Sequence, residues 1–301
     1  MSISITDPKL QTLYLRNGTL VNERYEVKNF MCRTKLAQVY KVTDKKKGDT
    51  VCVLKLLAIN NKSFSLESHY LKLCSGERGF PLFVESFDFN KDGDEYKCIV
   101  TSYEGETLFL HLTRRQFEIS IANTLRIGYK LFCLLEKMHQ RGYVHRDVQF
   151  SNILVEVNYG GDIDVKLIDF GSTVKRTPTP QSIGITGWHV SFDVINGKPY
   201  TVFDDLTSLV STLMACQGIN PFGYLKEHNL ELKKQFHHYP MRHFHKLETQ
   251  WIGQLYLEIN RQRTAGFNKS AILEIFKNAV KGVSPQSPIT YSFTNGRVFI
   301  D

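Results

Sequence analysis

Two short motifs on either side of a turn constrain this chain more than anything else in it. His145-Arg146-Asp147-Val148-Gln149-Phe150-Ser151-Asn152 leads into Ile153 to Val157. Asn158-Tyr159-Gly160-Gly161-Asp162 follows, then Ile163 to Ile168, and Lys166-Leu167-Ile168-Asp169-Phe170-Gly171 closes the run. β-favouring residues flanking a stretch rich in Asn, Gly and Asp predict a hairpin. Such a hairpin returns the chain to its starting end, so Asn152 and Asp169 come together.

The rest of the sequence divides around this feature. From about residue 20 to 101, Val27 to Phe30, Gln38 to Thr43, Val51 to Ala58, Phe83 to Phe89 and Tyr96 to Thr101 read as short strands. Lys47-Gly48-Asp49 and Asp92-Gly93-Asp94 mark turns between them. Between the third and fourth runs, Leu66, Tyr70, Leu73 and Cys74 recur at helical spacing. From Gly105 onward helical periodicity dominates. Ile121, Leu125, Leu131, Leu135 and Met138 mark one face of a helix over 119–140 that Arg141-Gly142 ends, and Leu206, Leu209, Val210, Leu213 and Met214 mark another behind Asp204-Asp205. The expected fold class is α+β, with a small five-stranded β lobe carrying one helix and a larger, mainly helical lobe. The tail from about Val283 shows no strong pattern.

Composition sets outer bounds. With 42% hydrophobic and 23% charged among 301 residues, the chain suits a globular protein with a substantial core. The net charge of +8 favours anionic partners, but no run of five basic residues occurs, so no dedicated nucleic-acid-binding segment is expected. Six cysteines, widely spaced and without a C-x-x-C pair, suggest neither a zinc site nor a disulfide framework. No apolar run reaches the roughly 20 residues that span a bilayer, and the N-terminus has no secretory pattern. The expectation is a cytoplasmic or nuclear protein, a monomer without a membrane partner.

The two motifs carry residue types suited to phosphoryl transfer. That reaction needs a carboxylate to orient a hydroxyl and accept its proton, and oxygen ligands to hold Mg2+ on the phosphates. Asp147 is the candidate base, and Asn152 and Asp169 are the candidate metal ligands. Upstream, Lys55 in Val51-Cys52-Val53-Leu54-Lys55-Leu56 stands where a strand lysine would touch the α and β phosphates of ATP, with Glu67 on the following helix as its fixed partner. A solvated strand lysine and an exposed helix carboxylate are the plainer readings of those two residues.

With these motifs in view the chain resembles eukaryotic protein kinases from about residue 20 to 280, and within them the casein kinase I group. Ser65-Leu66-Glu67-Ser68, Gly105-Glu106-Thr107-Leu108, Phe203-Asp204-Asp205-Leu206-Thr207-Ser208-Leu209 and Ser191 carry the closer likeness. The resemblance implies a bilobal kinase domain over 20–290, divided into an N-lobe at 20–101, a hinge at 102–104 and a C-lobe at 105–290. Residues 1–19 and 291–301 then flank it. It implies ATP and protein substrates as partners, with Val39, Val53 and Leu154 around adenine and Ser102, Tyr103 and Glu104 as the hinge. Thr101 becomes the gatekeeper, and Asp205 a buried anchor for the catalytic loop.

The pattern is broken in places. Cys32, Thr34 and Ala37 stand where the family has three glycines, and side chains there hold a phosphate-binding loop farther off. Gln149 stands where serine/threonine kinases carry a lysine, so a neutral amide replaces a charge near the transferred phosphoryl group. Phe150 replaces a proline. Trp188-His189 replaces the family's Arg-Tyr, so a preference for acidic substrates does not carry over. Two readings follow: a serine/threonine kinase slowed by these changes, or a pseudokinase that serves as a binding or scaffolding module. The segment from Phe236 to His245 holds four of the ten histidines, with Pro240 interrupting it, and reads as a surface segment before it reads as a metal site.

Overall fold

The computed structural model describes residues 13–34, 37–177, 187–223 and 230–301. They form two compact units. The first holds the described residues up to Glu104 together with Phe170–Ser172, and the second holds Gly105–Asp169 and the described residues from Thr173 onward.

The first unit is an antiparallel sheet of β1 (Leu20–Val21), β2 (Tyr25–Arg33), β3 (Ala37–Asp44), β4 (Thr50–Ala58), β5 (Phe83–Lys91) and β6 (Asp94–Ser102), in spatial order β1-β2-β3-β4-β6-β5. Helix α1 (Phe64–Cys74) lies between β4 and β5 in sequence. The five expected strands are present. β1 is a sixth, two residues long, and too short to leave a periodic signal. Asp92 and Gly93 both take positive φ, which fits the twist of the tight β5–β6 turn.

Alternation along the strands sorts the two faces of this sheet. Tyr25, Val27, Tyr40, Val42, Leu54, Leu56, Cys98 and Val100 are buried in one core, and Leu13 and Leu15 join it. Leu13 and Leu15, from the described part of the expected flanking segment 1–19, are therefore part of the packing. Gln38 Nε2 donates to the Leu13 carbonyl at 2.8 Å, and the Leu15 amide donates to Tyr40 Oη at 3.2 Å. Leu15 is 1% exposed. Leu15→Ala is expected to lower the unfolding free energy by about 2–5 kcal/mol, the range for a buried Leu→Ala change; urea denaturation against wild type measures it.

The second unit begins with β7 (Glu106–Thr107), α2 (Leu108–Arg114) and α3 (Ile121–Gln140), and continues through β8 (Tyr143–Val144), β9 (Ile153–Val157), β10 (Ile163–Leu167) and β11 (Val174–Lys175). Its remaining elements are α4 (Phe192–Ile195), α5 (Val202–Cys216), α6 (Leu230–His238), α7 (Gln250–Ala265), α8 (Lys269–Asn278), β12 (Tyr291–Thr294) and β13 (Arg297–Ile300). Ser120 caps α3 by accepting from the Asn123 amide, so this helix starts at Ile121 and not at Ile119. Gly128 lets α3 approach α5 and α8 closely: a Cβ there would lie 2.8 Å from Leu213 Cδ2 and 3.2 Å from Phe276 Cε1. No helix among the described residues is long and apolar enough to cross a membrane.

The predicted hairpin is β9–β10, paired from Ile153 with Leu167 to Val157 with Ile163. Asn158 Oδ1 accepts from the amides of Gly160 and Asp162 and so closes the turn. In the tail, where no strong pattern was expected, β12 and β13 form a second hairpin. Asn123 of α3 donates to the carbonyls of Thr290 and Asp301 and accepts from the Thr290 amide, which ties this hairpin to the helix.

Candidate active site

Asp147, Gln149 and Asn152 lie on the irregular segment between β8 and β9, which has no ladder of its own and is held by side chains. Asp205, in the first turn of α5, is fully buried and accepts four hydrogen bonds. They come from the His145 amide (2.8 Å), the Arg146 amide (2.9 Å), His139 Nε2 (2.8 Å) and Tyr200 Oη (2.7 Å). Burial alone would raise its carboxyl. The hydrogen bond and charge of His139, with His145 and the Arg146 amide, outweigh that and hold it below the usual carboxylate range. The anchoring position implied for Asp205 is what the fold contains. Its neighbour Asp204 serves a different segment, accepting from Ser191 Oγ (2.6 Å), the Thr201 amide (2.6 Å) and Arg263 (2.8 Å).

His145 is enclosed, and its tautomer follows from its partners. Nδ1 accepts from the Asp147 amide at 3.2 Å, so the proton sits on Nε2, which donates to the Ile168 carbonyl at 3.0 Å. Burial pushes this imidazole down, against the pull of Asp205, Asp147 and Asp169. His145 thereby joins the segment carrying Asp147 to the one carrying Asp169. Arg146 and Asp169 both take left-handed backbone (φ 73° and 62°), a conformation costly for residues with a Cβ. The cost is met by the contacts at either end.

The Asp147 carboxylate is engaged on both oxygens. Oδ1 accepts from Gln149 Nε2 at 2.8 Å, and Oδ2 accepts from Asn152 Nδ2 at 2.8 Å. The same amide nitrogen donates to the Asp147 carbonyl at 2.9 Å, so the Asn152 side-chain oxygen is its remaining ligand atom. The Ile168 amide bonds the Asn152 carbonyl at 3.0 Å, which sets Asp169 one residue beyond Asn152's backbone partner. An amide oxygen and a carboxylate are hard donors of the kind Mg2+ takes. Leu154 lies on β9 opposite Thr107 of β7. Gly105, just before β7, has φ +88°, and a Cβ there would fall 2.7 Å from Glu156 Cβ.

Lys55 and Glu67 are together in the first unit. Lys55 Nζ meets Glu67 Oε1 at 2.7 Å and Oε2 at 2.9 Å, and the Glu67 side chain is only 3% exposed. A two-oxygen pair on a buried carboxylate is unlike the loose surface charges of the plainer readings. Val39 pairs with Lys55 across β3–β4, Val53 with Lys41 and with Thr101. Val39, Val53, Lys55 and Thr101 therefore share the face opposite the Leu13–Leu15 core. In the hinge segment, Ser102 Oγ accepts from the Leu82 amide at 2.7 Å and donates to Glu104, while Lys41 Nζ lies 4.0 Å from the Tyr103 ring centroid. Phe170 packs with Tyr70 of α1 (4.8 Å between centroids) and with Phe80 (6.0 Å).

A family model for the protein kinase domain matches residues 25–273. The chain belongs to the protein kinase domain family. Among curated relatives, this kinase domain is 28% identical over 193 residues to the serine/threonine-protein kinase zyg-8 of Caenorhabditis elegans, covering 58% of the chain and 24% of that protein. It is 28% identical over 135 residues to the serine/threonine/tyrosine-protein kinase HT1 of Arabidopsis thaliana, covering 41% of the chain and 34% of that protein. A putative casein kinase I of C. elegans, C03C10.2, is 25% identical over 239 residues, covering 74% of the chain and 69% of that protein. The chain thus spans about a quarter to a third of the length of the first two relatives.

Three features around the site left no usable cue in the sequence of this kinase domain. Lys233 of α6 is 4% exposed and donates to the Trp188 and Val190 carbonyls, although it reads as one more charge on a polar helix. Arg263 of α7 pairs with Asp193 and Asp204. His189 sits against Asp147. Phe150, which stands where the family has a proline, stacks between Phe109 (5.5 Å) and Trp188 (5.2 Å). In the histidine-rich segment, His237 Nδ1 meets Tyr256 Oη at 3.0 Å and His243 lies against Phe236. Among the described residues no cluster of three or more His, Cys, Asp or Glu side chains could hold a metal ion.

Proposed function

We propose that this kinase domain transfers the γ-phosphate of ATP to serine or threonine hydroxyls of proteins, at a rate limited by its altered phosphate-handling residues. The observation that carries this reading is the Asp147 carboxylate, fixed on both oxygens by Gln149 and Asn152 and still 24% exposed. A carboxylate held in this way can orient an acceptor hydroxyl and take its proton. Lys55, kept extended by Glu67, is the group for the α and β phosphates, and Val39, Val53, Leu154 and the 102–104 segment are the groups for adenine. Asn152 Oδ1 and the Asp169 carboxylate would hold Mg2+, which when bound neutralises charge on the phosphates.

A place within the casein kinase I group is supported by the Asp204-Asp205-Leu206-Thr207-Ser208-Leu209 segment and by the span of the putative casein kinase I relative. The pseudokinase reading draws on one observation. Thr34 Oγ1 accepts from the Ala37 amide at 3.0 Å, and the Thr34 amide bonds the Ala37 carbonyl at 2.9 Å, so two amides of the hairpin that would cradle phosphate serve their own turn.

Single-turnover transfer from γ-labelled ATP and Mg2+ to a mixed Ser/Thr peptide library separates the two readings. Wild type is expected to form phosphoserine or phosphothreonine, and Lys55→Met to do so about 10²-fold more slowly, the loss typical of one preorganised electrostatic group. No transfer from wild type, at protein and ATP concentrations that offset weak binding, leaves the interaction module.

A further inference from the structure

His189 is held against the catalytic carboxylate by contacts on every side of its backbone. Lys233 Nζ donates to the carbonyls immediately before and after it, Trp188 at 2.6 Å and Val190 at 2.5 Å, and Ser208 Oγ donates to the His189 carbonyl at 3.0 Å. Gly187 makes room for the ring: a Cβ there would lie 2.6 Å from His189 Cε1 and 2.8 Å from Nδ1. So fixed, the imidazole is 3% exposed and its Nε2 stands 3.1 Å from Asp147 Oδ1.

Neither ring nitrogen makes a directed hydrogen bond. A buried neutral imidazole with two unsatisfied nitrogens is costly, about 1–3 kcal/mol for each group. A carboxylate 3.1 Å away offsets that cost when the ring carries a proton. Among the described residues, Asp147 from the catalytic segment is the charged group against the ring, and Lys233 from α6 is the charged group that holds the carbonyls on either side of it; Ser208 from α5 is neutral. Burial lowers Lys233 to about 7, so near neutral pH its opposition to a charged ring is reduced.

We propose that His189 is a positioning residue for Asp147, and that its imidazolium supplies beside that carboxylate the positive charge that Gln149 cannot. This rests on the kinase reading and names the device by which the chain compensates for its missing lysine. The cation comes from the segment ahead of α4, and the neutral amide at 149 serves as a hydrogen-bond donor to the same oxygen.

The experiment compares wild type, His189→Gln and the double variant His189→Gln/Gln149→Lys in single-turnover transfer between pH 5.5 and 8.5. His189→Gln is expected to slow transfer about 10²-fold at pH 6 and to remove the fall in rate with rising pH. Lysine at 149 in the double variant is expected to restore most of the rate and keep the profile flat. A double variant as slow as the single one, or a pH profile unchanged by His189→Gln, overturns the proposal while leaving the kinase reading intact.

An NMR titration of the His189 ring in wild type and Asp147→Asn reads the pairing without activity. The midpoint is expected to fall in the variant, since an opposite charge is lost. An unchanged midpoint overturns the pairing. A shifted midpoint in a wild type that transfers nothing overturns the kinase reading, and with it the role given to His189.

Discussion

Asp147→Asn is expected to slow single-turnover phosphoryl transfer by about 10²- to 10⁴-fold, the range for removal of a positioned general base, with the melting temperature lowered only by the loss of the charge beside the His189 ring. The side chains are nearly isosteric. An asparagine can keep its oxygen toward Asn152 Nδ2 and turn its amino group toward Gln149, whose own amide can reverse to accept. The contacts at 2.8 Å on each side can therefore survive the change. What is lost is the capacity to take the acceptor's proton. Transfer rate and thermal unfolding measured on one preparation check this, and a variant that transfers at the wild-type rate would remove Asp147 from the chemistry.

Asp205→Ala is expected to act through the fold. It strips four buried donors of their acceptor: two backbone amides, His139 Nε2 and Tyr200 Oη. Leaving buried polar groups unpaired after removing a charged partner costs about 3–5 kcal/mol. The His145 and Arg146 amides belong to the segment that carries Asp147, so transfer falls together with stability. Chemical denaturation gives the first quantity and single-turnover transfer the second. A loss below about 1 kcal/mol would mean that this segment is held chiefly by other contacts, such as the two made by the His145 ring.

Legibility in the sequence followed the range of the interactions. The β9–β10 hairpin could be read because its signal is local: β-favouring runs around Asn158 to Asp162. The Lys55–Glu67 pair could be read only as a candidate, because a lysine on a strand and a glutamate on a helix are common, and nothing local says that Glu67 is buried. Leu13 and Leu15 belong to no periodic run, yet they fill the sheet's core through contacts to Gln38 and Tyr40, 25 residues away. The grip of Lys233 on the Trp188 and Val190 carbonyls spans 45 and 43 residues. Backbone carbonyls carry no sequence label, so such a contact leaves no pattern. The β12–β13 hairpin differs, because Asn295-Gly296, both at positive φ, is a strong turn signal. Its strands are short, and Ser292 and Phe293 are exposed, so the flanking alternation that would have supported the turn is weak. Gln149 reads from sequence as a lost charge; the neighbouring imidazole comes from 40 residues downstream and is visible only in three dimensions.

Phe170–Ser172 lies with the sheet unit, although the residues on both sides of it belong to the other. That has a consequence for the order in which a ribosome delivers the protein. The sheet and α1 are synthesised by Glu104, but the aromatic group of Tyr70 and Phe80 receives its third ring only when Phe170 has been made. At about 5–20 residues per second, that interval lasts several seconds. Throughout it the nascent sheet unit lacks one of its own pieces. The half of the kinase domain translated first thus cannot be completed until well into the synthesis of the second, and until then Tyr70 and Phe80 lack the ring that packs against both of them.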